Sequence, residues 1–301
     1  MRNLKATKID AGKRVDIFVA KKLPGFSRSS LSGLFEKQLV EVNDQSVKAS
    51  YKLRAGDRLK VDTSLLTARP AKIILPILYE DDEVIVINKP AGVLTHAKGA
   101  LNTEATVASF IELKIADKNL KGNRAGIVHR LDRGTSGVII AAKNEKTLKW
   151  LQKQFSTRKV KKTYLAIVEG VPELQAAIID APIERNPKRP QTFRVSSDGR
   201  PAQTKYTLLK TFSMPARRSL GEGGLSNFYS LLELQLLTGR THQLRVHLKY
   251  IGHPIVGDRV YGQAGKHLYL HAKSLEVTLP NGKRTVFEAP EPDYFSELVK
   301  S

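Results

Sequence analysis

The residues from His129 to Gly137 contain the most reactive combination of side chains in this chain, reading H-R-L-D-R-G-T-S-G. Asp132 stands between two guanidinium groups, those of Arg130 and Arg133. Positive charge nearby favours the ionised form of an acid, and an ionised carboxylate can act as a nucleophile or a base. An Asp in a polar loop is also typical of an ordinary turn. A reactive role for Asp132 therefore depends on support from other segments.

The first supporting segment is K-K-T-Y-L-A-I-V, residues 161–168, whose β-branched content predicts a strand. Alternation along that strand puts Tyr164 on the same face as Ala166 and Val168. A tyrosine in this position can be a buried core residue, or it can present an aromatic face with a polar end to a planar ligand.

The second supporting segment is L-T-G-R-T-H-Q-L-R-V-H-L, residues 237–248. It predicts a helix that Thr241 caps and that runs toward Ile251, with Gly252 as its stop. At 100° per residue the apolar and the basic side chains separate onto two faces. The basic face is either an ordinary solvated surface or part of a site. The two faces comprise Leu244, Leu248 and Ile251 on one side and His242, Arg245 and Lys249 on the other.

Together these segments resemble three motifs of the RluA-type pseudouridine synthases, namely H-R-L-D-x-x-T-S-G, K-x-Y-x-A and T-G-R-T-H-Q-L-R. The resemblance covers about residues 73 to 292. It implies that uridine in RNA is isomerised to pseudouridine without a cofactor or a metal. It further implies that Asp132 is the catalytic carboxylate, that Arg245 pairs with it, and that Tyr164 lies against the target base.

The same resemblance implies that the target nucleotide is extruded from its stack and that Arg130 fills the vacated space. The planar guanidinium of arginine suits that role better than a lysine ammonium. We also expect His129, Arg240 and His242, which belong to the same motifs, to contact the RNA substrate.

The elements that must position these residues predict an α+β domain. Strands are predicted on both sides of the Asp132 loop, at 125–128 and 138–142, and further strands at 83–89, 205–212 and 228–237. An amphipathic helix is predicted at 146–155. Many short strands with interspersed helices favour a mixed, largely antiparallel sheet, and the resemblance implies the pseudouridine synthase fold with a central cleft. Residues 215–227 are predicted to form an exposed loop.

Residues 1–62 form a small basic unit with 14 Lys and Arg against seven Asp and Glu, a net charge of +7. Helices are predicted at 15–23, with Val15, Phe18, Val19 and Leu23 inward, and after Ser27, a predicted N-cap. The order helix, helix, hairpins resembles the alpha-L RNA-binding fold over about residues 12–62, although Asp44 stands where that fold usually has glycine. The resemblance implies an RNA contact at Arg28. A small basic domain that contacts protein is the alternative.

Composition sets the wider limits. With 301 residues, 41% of them hydrophobic, the chain can bury a sizeable core, and its net charge of +21 favours a polyanionic partner. The absence of cysteine excludes disulfides and thiolate catalysis. Seven scattered histidines, without an H-E-x-x-H or a G-x-S-x-G pattern, argue against zinc and serine hydrolases. No apolar leader or membrane span is apparent, so a cytoplasmic location without a membrane partner is expected. Nothing in the sequence indicates an oligomer, so a monomer is expected.

The predicted organisation is an alpha-L RNA-binding domain at 1–62, a linker at 63–72 and a catalytic domain at 73–301. This layout resembles that of the subgroup acting on large-subunit ribosomal RNA. Two alternatives stay open at this point: a pseudouridine synthase acting on transfer RNA, and a non-catalytic RNA-binding protein that assists ribosome assembly.

Overall fold

The chain folds into two compact units. The computed structural model describes residues 1–24, 26, 28, 31–68, 70–97, 104–117, 120, 122, 124–214 and 227–300. The first unit comprises Met1–Ile74, His96–Leu113 and Lys121–Ala125, and the second comprises Leu75–Thr95, Lys114–Leu120 and Gly126–Ser301. The domain limits at residues 62 and 73 stay predictions.

In the first unit, short helices pack against a small antiparallel sheet of strand order β1-β4-β2-β3. Its core is formed by the apolar side chains of α1 and α2 and the inward residues of β2 and β4. Its elements are β1 (Arg2–Lys5), a 3-10 helix (Lys8–Asp10), α1 (Val15–Lys22), α2 (Ser32–Glu36), β2 (Val40–Val42), β3 (Gln45–Ser46), β4 (Arg58–Val61), α3 (Ser64–Thr67) and α4 (Val107–Glu112).

The first predicted helix is confirmed, with all four of its predicted inward side chains buried. The second helix begins at Ser32 with Leu31 in the capping position. Ser27, the predicted cap, lies outside the described residues. Asp44 follows β2 in a turn with φ of 65°, a left-handed conformation that aspartate tolerates better than most residues. This explains how Asp44 can stand where glycine is usual. The predicted linker contains a short helix, α3.

The second unit is built on a mixed sheet of strand order β5-β6-β7-β14-β8-β13-β12-β9, with β15 paired to β14. Strands β10 and β11 form a separate antiparallel pair. The elements are β5 (Ile77–Glu80), β6 (Val84–Lys89), β7 (Ser136–Ala142), α5 (Glu145–Ser156), β8 (Lys161–Glu169), β9 (Ala176–Asp180), β10 (Ile183–Arg185), β11 (Phe193–Val195), β12 (Gln203–Met214), β13 (Asn227–Leu236), α6 (Gln243–Tyr250), β14 (Leu270–Thr278), β15 (Arg284–Glu288) and α7 (Asp293–Lys300).

The sheet confirms the predicted α+β class and its largely antiparallel character. Strands β7 and β14 run parallel, whereas the other neighbouring pairs run antiparallel. Helix α6 packs its Leu244 and Leu248 on the face that carries Tyr164. Helix α7 packs Phe295 against Leu165 and Ile167 on the opposite face of β8. The alternation predicted for β8 is therefore confirmed.

Two local predictions in this unit were wrong. Residues 125–128 form no strand but a single bridge, Ile127 to Ala141, because Gly126 turns the backbone with φ of 63° and its carbonyl accepts from the Ala142 N–H. Helix α6 begins after His242, not after Thr241, and His242 itself has a left-handed φ of 57°. The predicted loop at 215–227 falls almost wholly outside the described residues.

The last residue of the H-R-L-D-R-G-T-S-G motif, Gly137, has to be glycine for a steric reason. Its φ is 111°, and a methyl group on it would overlap the backbone of Ala272 in β14. Glycine thus allows β7 to approach β14 closely at the end of the Asp132 loop. Among the residues that the structure describes, no helix combines the length and the apolar character that a membrane crossing requires.

Candidate active site

Asp132 lies in a loop whose backbone is held on both sides. The hydroxyl of Thr95 donates to the Leu131 carbonyl at 2.8 Å and accepts from the Leu131 N–H at 3.1 Å. The N–H of Thr135 donates to the Asp132 carbonyl at 3.1 Å. Because these bonds are buried or partly buried, they fix the direction in which the Asp132 side chain leaves the loop.

Arg245, in the T-G-R-T-H-Q-L-R motif, contacts Asp132, in the H-R-L-D motif. Its Nη1 lies 3.2 Å from Oδ2 of Asp132, although the two residues are 113 positions apart in sequence. Arg245 is only 8% exposed. Of the two interpretations of the basic face, an ordinary solvated surface is therefore excluded for Arg245, and its pairing with Asp132 agrees with the resemblance. A guanidinium in this position donates to the carboxylate and fixes one of its two oxygens.

A second carboxylate, Asp258, holds Arg245 in place. The Nε and Nη2 groups of Arg245 each donate to Asp258 at 2.7 Å, and the N–H groups of Val260 and Tyr261 donate to the same carboxylate. Burial would raise the pKa of Asp258, but its bonds to Arg245 and to the backbone hold that pKa below the ordinary value. The guanidinium therefore links two carboxylates, with the buried one bound in the two-pronged geometry.

His242 completes the surroundings of Asp132. Its Nε2 is 3.7 Å from Asp132 Oδ2, and its Nδ1 is 2.8 Å from the Tyr261 hydroxyl. Burial lowers the pKa of His242, which outweighs the opposite effect of Asp132. A neutral ring next to the carboxylate is therefore favoured at neutral pH. The left-handed backbone of His242 is the kind of local strain that accumulates at functional sites.

Tyr164 lies on β8 beside this group, buried to all but 6% of its surface. Burial, together with the charge of Asp132, raises its pKa above the ordinary tyrosine value. The phenol therefore stays protonated at neutral pH and presents an uncharged aromatic ring. This placement is compatible with a planar ligand lying against the ring.

Asp132, Tyr164 and His242 line a cleft of about 1040 Å³ in the second unit. Its lining includes more cationic than anionic side chains: the cations are Arg130, Arg158, Lys161, Lys162 and Arg240, and the anions are Asp132 and Glu276. Such a cleft attracts an anionic ligand that is large enough to reach along its whole length.

The other predicted contact residues occupy different environments. Arg130 is exposed at the cleft next to Asp132. Arg240 also lines the cleft, with its Nε donating to the Pro201 carbonyl at 3.1 Å. Arg28 belongs to the first unit, where its half-exposed side chain donates to Asp16 at 2.8 Å. The assignment of these residues to RNA binding stays a prediction.

His129, which was predicted to contact RNA, is packed against other residues of the protein. Its ring stacks on Phe155 with centroids 4.7 Å apart, and its Nε2 accepts from the Ile140 N–H at 3.0 Å. Burial lowers the pKa of His129 to about 3, and the charge of Lys162 adds to that effect. These contacts give His129 a part in holding the loop against β7, and its contact with RNA stays a prediction.

Asp258 and Tyr261 are site residues that the sequence motifs did not predict. Asp258 ends the H-P-I-V-G-D segment at 253–258, and Tyr261 follows three positions later. Asp258 does serve a turn, since it accepts two backbone N–H groups, and the same carboxylate binds Arg245. The sequence signal that could have identified Asp258 was an acid next to a hydrophobic run in a chain with a surplus of Lys and Arg.

Comparison with known proteins agrees with the motifs. Residues 83–250 match the family model described as RNA pseudouridylate synthase, and residues 13–59 match the S4 domain model. A protein of Aquifex aeolicus named "Uncharacterized RNA pseudouridine synthase" is 35% identical over 95% of this chain and 92% of its own length. The "Ribosomal large subunit pseudouridine synthase D" of Nitrosomonas europaea is 36% identical over 97% of this chain and 85% of its own.

A solved structure gives the same result for the fold. "Human RNA Pseudouridylate Synthase Domain Containing 1" aligns with a TM-score of 0.59 and 25% identity, covering 76% of this chain and 95% of that one. The fold predicted from the motifs, including the small N-terminal RNA-binding domain, is therefore confirmed. Since the family model spans more than half of the chain and the relatives cover nearly all of it, the chain belongs to the RNA pseudouridylate synthase family and is an isomerase of that class.

Proposed function

We propose that this protein converts specific uridines of large-subunit ribosomal RNA to pseudouridine, with Asp132 as the catalytic carboxylate. The observation that supports this most directly is the Asp132–Arg245 pair at 3.2 Å, which opens onto a cationic cleft beside the buried ring of Tyr164. The names of relatives that cover nearly the whole chain, such as the synthase D of Nitrosomonas europaea, support the ribosomal substrate.

In the proposed reaction the bond between N1 of uracil and C1′ of ribose breaks while Asp132 acts on the ribose. The uracil turns within the cleft, and a bond forms between its C5 and C1′ of the ribose. C5 loses its proton, and N1 gains a proton. The reaction is an isomerisation, so its electrons balance without an oxidant or reductant. Retaining the free base in the correct orientation is a large part of such catalysis.

The side chains divide this work between them. Arg245 donates to Oδ2 of Asp132, which leaves Oδ1 available to the substrate. The neutral phenol of Tyr164 provides an aromatic face on which the uracil can stack. Arg130, exposed beside Asp132, takes the place of the extruded nucleotide.

All of these side chains belong to one chain, which supports action as a monomer. A ribosomal substrate would place the activity in the cytoplasm, as part of ribosome biogenesis. The cationic surplus of the chain, +21, supports binding to a long polyanion.

The test compares wild-type protein with Asp132→Asn, which keeps the size of the side chain and removes its charge. Unmodified 23S ribosomal RNA and a pool of unmodified transfer RNA are incubated with each protein, and pseudouridine is mapped by carbodiimide-blocked primer extension. Asp198→Asn, in an exposed turn outside the cleft, is the matched control. We expect product in 23S RNA with wild type and the control, and none with Asp132→Asn.

The RNA affinity of Asp132→Asn should stay within about threefold of wild type, because binding depends on the cationic side chains. Equal modification by Asp132→Asn would overturn the catalytic assignment. Product in transfer RNA alone would identify the alternative substrate. RNA binding without product from the wild type on either RNA would favour a non-catalytic assembly factor.

A further inference from the structure

Lys162 places a partly buried ammonium group in the wall of the cleft. It precedes Tyr164 by two residues on β8, so both side chains leave the same face of the strand, about 7 Å apart along it. Its Nζ lies 5.9 Å from the centroid of the Phe155 ring. On the other side, a methyl group placed on Gly239 would lie 3.8 Å from Nζ. The ammonium is thus positioned between α5 and the T-G-R-T segment.

No acidic partner accompanies this charge among the residues that the structure describes. In the part of the chain that the structure describes, no carboxylate oxygen lies within 4.0 Å of Lys162 Nζ, whereas its neighbour Lys161 pairs with Glu276 at 3.5 Å. Burial alone lowers the pKa of Lys162 below the ordinary lysine value. A partly buried charge without a counter-charge is unfavourable, and an anionic ligand would remove that penalty.

A buried lysine whose donors are all satisfied looks different in this protein. Lys89, at the end of β6, is completely buried, and its Nζ donates to the carbonyls of Pro90, Val93 and Arg133. Those three bonds use every hydrogen of the ammonium. Among the described residues Lys162 makes no such bond; its aromatic neighbour Phe155 contacts the charge only through the ring face. The donors of Lys162 are therefore available to a ligand in the cleft.

We propose that Lys162 is the centre of a binding subsite for a phosphate of the RNA, either that of the target nucleotide or that of its immediate neighbour. The distance along β8 lets the base contact Tyr164 while a phosphate of the same strand contacts Lys162. Arg158 and Arg240, which line the same cleft, favour the path of an anionic backbone there. This inference rests on the proposed function in that the ligand is RNA.

The first test measures binding of two small probes to the full-length protein by calorimetry or NMR titration. The probes are uridine and uridine 3′,5′-bisphosphate, which differ in their phosphates. The variants are Lys162→Met, which keeps the stem and removes the charge, Lys162→Gln, and Lys162→Arg, which keeps the charge. Lys149→Met is the matched control, since Lys149 is an exposed lysine on α5 that pairs with Glu145. Thermal unfolding establishes that each variant is folded.

We expect wild type to prefer the bisphosphate, and Lys162→Met and Lys162→Gln to lose about tenfold of that preference. Lys162→Arg should keep most of it, and Lys149→Met should match wild type. With single-stranded oligouridylate, the slope of log affinity against log salt should decrease in magnitude by about 0.7 in Lys162→Met, as expected for one phosphate contact. An undiminished bisphosphate preference or salt slope in Lys162→Met and Lys162→Gln would overturn the subsite.

Neither probe experiment requires turnover. Absence of pseudouridine in the mapping experiment would therefore contradict the proposed function without affecting this result. Conversely, a Lys162→Met protein that modifies RNA with unchanged phosphate preference would contradict the subsite and leave the proposed function intact.

Discussion

Arg245 binds Asp258 more closely than it binds Asp132, with two bonds of 2.7 Å to the former and one of 3.2 Å to the latter. The Nε and Nη2 edge of the guanidinium is occupied by the buried carboxylate, and Nη1 reaches the cleft. Asp258 therefore decides the orientation in which Arg245 meets Asp132. Two carboxylates share one cation, and one oxygen of Asp132 is held by it.

Asp258→Asn should reduce catalysis by releasing Arg245 from this orientation. We expect kcat to fall by about 10- to 100-fold, with KM for RNA within about threefold of wild type, because the change affects positioning rather than RNA contacts. Breaking a buried pair should also lower the free energy of unfolding by about 3–5 kcal/mol. Steady-state kinetics and urea unfolding measure the two effects separately.

The control for this substitution is Glu184→Gln, which breaks the half-exposed pair between Glu184 and Arg194 at 2.7 Å. It should change neither kcat nor stability appreciably, since exposed pairs contribute little. A folded Asp258→Asn protein with wild-type kcat would contradict the positioning role of Asp258.

Arg130→Ala should affect structured RNA more than unstructured RNA. If Arg130 fills the space of the extruded nucleotide, its loss leaves the unstacking penalty of a few kcal/mol uncompensated. We expect kcat/KM on a hairpin containing the modified uridine to fall by about 10- to 100-fold, with a smaller effect on an unstructured strand of the same local sequence. Arg130→Lys should rescue the loss only in part. An equal loss on both RNAs would contradict this role.

Substitutions of Tyr164 should separate its ring from its hydroxyl. Tyr164→Ala removes the stacking surface and should weaken RNA affinity by at least about fivefold. Tyr164→Phe keeps the ring and should bind RNA within about threefold of wild type. Because burial and Asp132 raise the pKa of Tyr164, the alkaline side of the kcat profile should be the same in wild type and Tyr164→Phe up to pH 10. A difference between these profiles below that pH would show that the phenol ionises.

The acid sensitivity of the fold should depend on His129. The pKa of His129 is lowered to about 3, whereas in the unfolded chain it is near 6.5, so between these values the unfolded state binds more protons. Stability therefore increases with pH in this window and is lost as the pH falls through it, by up to about 1.4 kcal/mol per pH unit for this residue.

Urea unfolding of wild type and His129→Gln at several pH values between 4 and 6.5 measures this dependence. The slope of unfolding free energy against pH should be smaller in His129→Gln, while the buried His247 and His271, whose pKa values burial also lowers, keep their contributions. Identical slopes in the two proteins would contradict a neutral His129 in the fold.

Local patterns in the sequence were sufficient for most elements of the fold. The alternation of β8 predicted that Tyr164, Ala166 and Val168 share a face, and all three belong to one buried cluster. The prediction of a strand at 125–128 was wrong because Gly126 adopts a left-handed conformation, and a glycine does not reveal its φ in the sequence. The helix start at His242 was missed for the same reason, since His242 has a positive φ that its residue type does not predict.

For the site, the sequence by itself determined the reactive types: a carboxylate between arginines, an aromatic residue on a strand, and a basic helix, in motifs that match one family. Only the tertiary structure decided that Arg245 is buried and shared between Asp132 and Asp258. It also decided that Lys162 faces the cleft and has no acidic partner within the described part of the chain. The physical reason is the separation along the chain over which each effect acts. Helix and strand periodicity act over a few residues, whereas the pairing and burial of charges depend on which distant segments the sheet brings together.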